Sequence, residues 1–272
     1  MSPKQTIASR IQPCDDQAIK IIQITDTHVL NDGESVFENF DTSRSLSAVI
    51  DAIKTNEADA DIVLLTGDLV HEPSEGAYQR LADHLASLTT PLFYLPGNHD
   101  NVTEMDYVLG NNGFDHSNLV VTGNWAIILL DTLVDGEHAG TLSDEELVFL
   151  QDCLQQYPRH SILVALHHHP VSINSPWMDA MSLTNADALF AVLDTHANVQ
   201  GVIWGHIHQA FEQTRDNCLL LGSPSTCLQF KPGSETFAVD NKSPAYRWLI
   251  LNGDGQIKTG VEYVDYNIEN KN

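Results

Sequence analysis

Residues 62–68 read IVLLTGD and end in Gly67 and Asp68. The first five residues are apolar or β-branched, which predicts a buried strand. A glycine permits a sharp exit of the backbone from a strand, and the carboxylate that follows it carries two oxygens. The stretch therefore predicts a strand that delivers an acidic side chain at its end.

The same arrangement recurs at four other predicted strands. The residues that follow them are Asp26-Thr27-His28, Gly97-Asn98-His99-Asp100, His167-His168-His169 and Gly205-His206-Ile207-His208. Side chains at the ends of strands in one sheet can converge on a single point. Oxygen and imidazole ligands without a thiolate suit a pair of hard or borderline divalent ions. The series as a whole therefore predicts a two-metal site.

Residues two apart on an extended segment share a face. Asp26 and His28 can therefore reach one ion, and the pair His206 and His208 can point at both ions. Asp68 has two oxygens that can bridge the ions.

Asn98 supplies a neutral carbonyl oxygen. His167 directly ends its strand and is expected to complete the coordination of the second ion. Successive residues alternate in direction, so at most two of the three consecutive histidines share a face, and the choice among them stays open. His169 is expected to line the pocket beside the substrate.

His99 is predicted to be a catalytic residue rather than a metal ligand. Asp100 follows it directly, and a carboxylate partner can orient an imidazole and keep it cationic near a leaving oxygen. Asn98 and His99 are also expected to contact the substrate. The remaining histidines are expected to be ordinary surface residues: His71, His84, His116, His138, His160 and His196.

The 272 residues are expected to form one domain, because the candidate ligands run from residue 26 to residue 208. Residues 18–266 are assigned to that domain, 1–17 to a disordered lead-in and 267–272 to a frayed tail. A net charge of −24 argues against nucleic acid and anionic membranes as partners. Residues 1–13 lack the apolar core of a signal peptide. The four cysteines show no paired spacing, which favours reduced thiols in a cytoplasmic protein. The sequence makes no prediction about oligomeric state.

Helical and strand patterns alternate up to residue 204, and the chain is mostly β-like after that. Predicted helices cover 43–56, 75–88, 144–156 and 186–195, and hairpin turns are expected at Gly123-Asn124 and at residues 252–255. This order predicts an α/β fold with two packed sheets flanked by helices.

The motifs resemble those of the calcineurin-like metallophosphoesterase superfamily, whose pattern is D-x-H, G-D, G-N-H-[DE], a single H and G-H-x-H. The resemblance implies a four-layer α/β/β/α sandwich with two mixed sheets and a pair of Fe, Mn or Zn ions. It implies that one ion is bound by Asp26, His28, Asp68 and His208. The other ion would be bound by Asp68, Asn98, His167 and His206.

A narrower resemblance, to bacterial class III 3′,5′-cyclic AMP phosphodiesterases, is carried by residues 23–28, 95–100, 166–170, 205–209 and 223–232. It implies hydrolysis of cyclic AMP to 5′-AMP by a metal-bound hydroxide. Two alternatives stay open. One is a broader phosphodiesterase or phosphomonoesterase acting on glycerophosphodiesters or nucleotides. The other is a catalytically silent binding scaffold on the same fold, which would be expected to have lost ligands.

Overall fold

The computed structural model describes residues 4–13, 18–32 and 36–266. Its strands are β1 (Ala8–Ile11), β2 (Ala18–Ile24), β3 (Ile62–Thr66), β4 (Leu92–Leu95), β5 (Leu119–Thr122), β6 (Trp125–Leu129), β7 (Ser161–Leu166), β8 (Val199–Trp204), β9 (Phe211–Arg215), β10 (Cys218–Gly222), β11 (Ala245–Asn252) and β12 (Ile257–Tyr263). Its helices are α1 (Thr42–Asn56), α2 (Glu75–Leu85), α3 (Val102–Asn111), α4 (Asp144–Gln156), α5 (Pro176–Asp179) and α6 (Ala186–Leu193).

The strands form two mixed sheets. One has seven strands in the order β1-β5-β6-β7-β8-β10-β9, and the other has five in the order β12-β11-β2-β3-β4. The strands β2, β3 and β4 run parallel, as do β6, β7 and β8. The carboxyl ends of each parallel set therefore lie at one edge of each sheet, which confirms the expected convergence.

Three hydrophobic layers hold the sheets and helices together. The middle layer lies between the two sheets and includes Ile21, Leu64 and Ile127. A second layer packs α1, α2 and α3 against the five-stranded sheet, and a third packs α4 and α6 against the seven-stranded sheet. The predicted four-layer α/β/β/α sandwich is confirmed.

Local sequence signals explain most of the element boundaries. The side chain of Asp41 caps α1 and that of Ser143 caps α4, in each case by accepting a backbone N–H bond three residues on. The predicted hairpins also form, since β5 pairs antiparallel with β6 and β11 with β12. Helix α3 was not predicted from the sequence; Asn101 caps it through a bond from the backbone N–H of Glu104.

The predicted disordered lead-in is wrong for Ala8–Ile11. These residues form β1 and pair in parallel with β5 at the edge of the seven-stranded sheet. The segment is short and has only one strongly apolar residue in contact with the core, so its own sequence carries little strand signal. The neighbouring edge of β5 supplies the hydrogen bonds that fix it. The predicted tail at 267–272 lies outside the described residues.

Candidate metal centre

The side chains predicted to bind metal come together where the two sheets face each other, just after β2, β3, β4, β7 and β8. We call this set the floor of the site; it comprises Asp26, His28, Asp68, Asn98, His167, His206 and His208. All of them except Asn98 are at most 5% exposed. A buried group of carboxylates and imidazoles is costly unless its charges are compensated, and divalent cations would provide that compensation.

Short distances connect the floor residues across both sheets. His28 Nε2 lies 3.2 Å from His208 Nε2, and His208 Nε2 lies 3.3 Å from Asp26 Oδ1. Asp68 Oδ2 lies 3.7 Å from His28 Nε2 and 3.4 Å from His167 Nε2. Asp68 is therefore placed between the two groups of donors, as a bridging ligand requires.

Three floor histidines have one ring nitrogen fixed by a backbone carbonyl. A carbonyl only accepts, so the facing nitrogen must carry the hydrogen, and in the neutral ring the opposite nitrogen has the lone pair that could bind a metal ion. For His167 and His208 the free nitrogen is Nε2, and for His206 it is Nδ1. The carbonyls belong to Thr66, Leu228 and Met181, at 2.8, 2.9 and 3.0 Å.

Two buried side-chain atoms that lack a hydrogen-bond partner support the same interpretation. Asn98 Oδ1 and His167 Nε2 are buried without a hydrogen-bond partner among the residues that the structure describes. Burial lowers the pKa of His28 and of His206 well below the usual value, which favours the neutral imidazole that binds metal. Despite burial, the neighbouring Asp68 carboxylate raises the pKa of His167 to about 9, and a bound cation would displace that proton. The donor set therefore fits a pair of divalent ions.

Five floor residues have a left-handed backbone. The φ angles are 53° at Asp26, 43° at His28, 49° at Asp68, 67° at His206 and 44° at His208. Such a conformation costs a non-glycine residue about 1–3 kcal/mol and persists only where the surroundings enforce it. Backbone strain concentrated at one cluster indicates that ligand placement, rather than stability, determines this part of the chain.

Hydrogen bonds between the strand-end loops hold this strained backbone in place. The backbone N–H of Asp26 donates to the carbonyl of Gly67, and that of His28 donates to the carbonyl of Asp68, both at 3.0 Å. The N–H of His206 donates to the Asp26 carboxylate at 3.0 Å, and the N–H of His99 donates to Asp68 Oδ1 at 2.9 Å. Each loop is thus tied to the next by its ligand residue.

Two glycines are required by this close packing. A Cβ on Gly97 would overlap Asp68 Oδ1, and a Cβ on Gly205 would overlap Thr25 Oγ1 and come within 2.7 Å of Asp26 Oδ2. The glycines of the G-N-H and G-H-x-H motifs therefore make room for the ligand carboxylates of neighbouring loops.

The predicted pairing of Asp100 with the His99 side chain is wrong. The Asp100 carboxylate instead accepts bonds from the backbone N–H groups of Leu69 and Gly97, at 3.1 and 2.9 Å, and from the Tyr78 hydroxyl at 3.0 Å. Burial and the nearby negative charge of Asp68 raise the pKa of Asp100 to about 6. Asp100 thus links the loops that carry Asp68 and Asn98. It does not face the His99 ring, because adjacent residues of a turn point in different directions.

His99 is oriented by a backbone group instead. Its Nδ1 lies 2.8 Å from the carbonyl oxygen of His71, to which it donates. The His71 ring stacks on the His99 ring with centroids 5.0 Å apart. The expectation that His71 is an ordinary surface residue is therefore wrong.

The predicted substrate contact of His169 is also not met. His169 is fully buried, lies behind His206 at a ring distance of 5.6 Å, and does not line the cavity over the floor. Its Nε2 is 3.5 Å from Asp179 Oδ1, and burial lowers its pKa to about 4. Among the three consecutive histidines, His167 contacts the Asp68 carboxylate, while His168 faces Thr132 through Nδ1 at 2.7 Å.

An open cavity of about 210 Å³ lies over the floor. We call its outer wall the rim, which comprises Phe37, His71, His99, His138, Trp177, Met178, Met181, Phe230 and Phe237. The sequence interpretation placed only His99 of this set at the site. His138 was expected to be a surface residue, and it is exposed, but it also lines the cavity.

The fold and the convergent donors define a dinuclear phosphoesterase centre, and the sequence profile of the calcineurin-like phosphoesterase family matches residues 19–210. The chain belongs to this hydrolytic family. It is 37% identical, over 93% of both chains, to a 3′,5′-cyclic adenosine monophosphate phosphodiesterase of Pseudomonas aeruginosa. It is 39% identical to a 3′,5′-cyclic-nucleotide phosphodiesterase of Nostoc, over 92% of this chain and 94% of the relative.

Solved structures share the fold at much lower identity. A dimetal phosphatase of Danio rerio matches with a TM-score of 0.59 at 15% identity, over 89% of this chain and 98% of the phosphatase chain. Within the described part of the chain, no helix is long and apolar enough to cross a membrane.

Proposed function

We propose that this protein hydrolyses 3′,5′-cyclic AMP to 5′-AMP at the dinuclear centre. The observation that carries the proposal is the convergence of six predicted ligands into one buried cluster under an open cavity that Asn98 also lines. The relatives named for cyclic-nucleotide hydrolysis cover nearly the whole chain and support this substrate class.

The ligand sets are those that the family resemblance implies, and the close approach of Asp26, His28 and His208 supports the first of them. One ion is proposed to be bound by Asp26, His28, His208 and the bridging Asp68. The other is proposed to be bound by Asp68, Asn98, His167 and His206. The absence of a thiolate from this set supports Fe, Mn or Zn bound through oxygen and nitrogen. When bound, two such ions supply Lewis acidity and lower the pKa of a coordinated water.

His99 is proposed to serve the leaving oxygen. Its Nδ1–H is fixed on the carbonyl of His71, so Nε2 is the ring nitrogen left for the substrate. With Nδ1 already a donor, Nε2 can protonate the 3′ oxygen only when the ring is an imidazolium. Asn98 is proposed to contact the substrate beside it. The cytoplasmic location expected from the sequence stays a prediction.

A water-derived nucleophile is expected, because no serine or cysteine lines the cavity among the residues the structure describes. One turnover in ¹⁸O-labelled water of a single phosphorothioate diastereomer of cyclic AMP, which is chiral at phosphorus, should therefore place the label on the thiophosphate of the 5′ product with inversion at phosphorus. Retention of configuration would imply a covalent intermediate and contradict the proposed mechanism.

Substrate choice is tested separately, by comparing cyclic AMP with glycerophosphodiesters at equal metal loading. Cyclic AMP should have the higher kcat/KM. Faster turnover of glycerophosphodiesters would favour the broader esterase. Full metal loading without turnover of any phosphodiester would favour the binding scaffold.

A further inference from the structure

Three aromatic side chains form one wall of the cavity over the floor. Trp177 is the second residue of α5, and Phe230 and Phe237 lie in the loop between β10 and β11. The ring centroids are 5.1 Å apart for Trp177 and Phe230, 5.6 Å for Trp177 and Phe237, and 5.5 Å for Phe230 and Phe237. All three contacts are edge-to-face, a favourable arrangement that also leaves ring surface uncovered.

Phe230 fixes this wall to the floor. Its ring stacks on the His208 ring with centroids 4.0 Å apart and an interplanar angle of 8°. Its backbone N–H also donates to the carbonyl of His208 at 3.0 Å. Trp177 and Phe237 contact the floor through Phe230 and line the same cavity as the floor residues.

Two features of the wall are unsatisfied by the protein itself. Phe237 is 45% exposed, although it belongs to an aromatic cluster that borders a cavity. The indole Nε1 of Trp177 is buried and has no acceptor among the described residues. A ligand with a flat aromatic face and a hydrogen-bond acceptor would satisfy both features.

We propose that Trp177 and Phe237 bind the base of the nucleotide, and so make the site selective for nucleotides over other phosphodiesters. The inference rests on the proposed function, since it places the phosphate over the floor. A nucleobase has a π face for stacking and ring nitrogens that accept a hydrogen bond. The flexible, hydroxyl-rich head of a glycerophosphodiester has no π face, and the three aromatic rings offer its hydroxyls only the indole N–H.

Equilibrium binding separates the base from the phosphate. Titration calorimetry of the metal-loaded protein would compare 5′-AMP with ribose 5-phosphate, which lacks the base. The wild-type protein should bind 5′-AMP more tightly by roughly 5- to 100-fold, the usual effect of stacking one base. Phe237→Ala should lose most of this preference and leave the affinity for ribose 5-phosphate unchanged, whereas Phe237→Tyr should retain the preference.

A matched control is Val239→Ala, which alters another exposed apolar residue of the same segment that does not line the cavity. It should bind both ligands like the wild type. Trp177→Phe keeps a stacking ring but removes the indole N–H, and it should lose a smaller part of the preference for 5′-AMP than Phe237→Ala.

Equal affinity of the wild-type protein for the two ligands would overturn the proposal, as would an unchanged preference in both Phe237→Ala and Trp177→Phe. These results do not depend on turnover. A preference that vanishes in Phe237→Ala, in a protein that fails to hydrolyse cyclic AMP, would support the base site and contradict the proposed function.

Discussion

The floor and the rim of the cavity are built by opposite means. Floor residues are buried, five of them have a left-handed backbone, and hydrogen bonds tie each loop to the next. Rim residues such as His138 and Phe237 are exposed and make mainly ring contacts. Metal ions require donors at fixed positions, so the floor residues adopt strained backbone conformations that hold the ligand atoms rigidly. Ring stacking tolerates small shifts, so the rim can be held more loosely.

Removal of the bridging ligand should have the largest effect. Asp68 is the only proposed ligand of both ions, so Asp68→Ala should lose both metals and nearly all activity. Metal content per chain, measured by plasma mass spectrometry alongside turnover, tests this expectation. Asp187→Ala, at an exposed carboxylate on α6, is the control that should retain two ions. If Asp68→Ala retained two ions, the assignment of Asp68 as a ligand of both ions would be wrong.

The second-largest effect is expected for substitution of the rim residue His99. His99→Ala should keep both metals and lose roughly 10²–10⁴ in rate, the usual contribution of a positioned acid. The loss should shrink for nitrophenyl esters, whose leaving group needs no proton. An equal loss on good and poor leaving groups would indicate that His99 positions the substrate.

Substitution of Asp100 tests whether the rigidity of the floor loops affects metal binding. Asp100→Asn replaces one carboxylate oxygen by an NH₂ group that cannot accept hydrogen bonds, so it loses either the bonds from Leu69 and Gly97 to Oδ2 or the bond from Tyr78 to Oδ1. Loss of such supporting contacts typically weakens metal binding by about 10- to 100-fold, which metal titration of the apoprotein would measure.

Tyr78→Phe is the matched comparison for Asp100→Asn. It removes a single acceptor interaction of Asp100, together with the bond that the Tyr78 oxygen accepts from the N–H of Asn101. It should therefore weaken metal binding less than Asp100→Asn. If both variants bound metal like the wild type, the loops would hold their positions without Asp100.

The smallest effect is expected at His71. The bond that His99 makes is to the backbone carbonyl of His71, which survives His71→Ala, so the variant loses ring stacking and the 3.4 Å contact between His71 Nδ1 and His28 Nδ1. An aromatic pair contributes about 0.5–1.5 kcal/mol, which corresponds to roughly a 2- to 12-fold loss in kcat/KM for cyclic AMP with both ions retained. Loss of a metal in this variant would place His71 with the floor instead.

Sequence alone determined the floor of this protein. Each predicted ligand lies in a group that follows an apolar run, and parallel strands bring their carboxyl ends to one edge, so local pattern and sheet geometry together predicted the cluster. The four-layer order followed from the same alternation of strands and helices, helped by the family resemblance. These features depend on residues close in sequence and on a periodicity that a single chain displays.

Only the tertiary structure decided the rim and the supporting contacts. Trp177 and Phe237 are 60 residues apart, and no local pattern relates them before the chain folds. Adjacency in sequence was misleading for His99 and Asp100, because a tight turn sends neighbouring side chains in different directions. Strand β1 likewise depends on the distant edge of β5. In each case the deciding partner is distant in the chain, and its position is fixed only when the two sheets pack together.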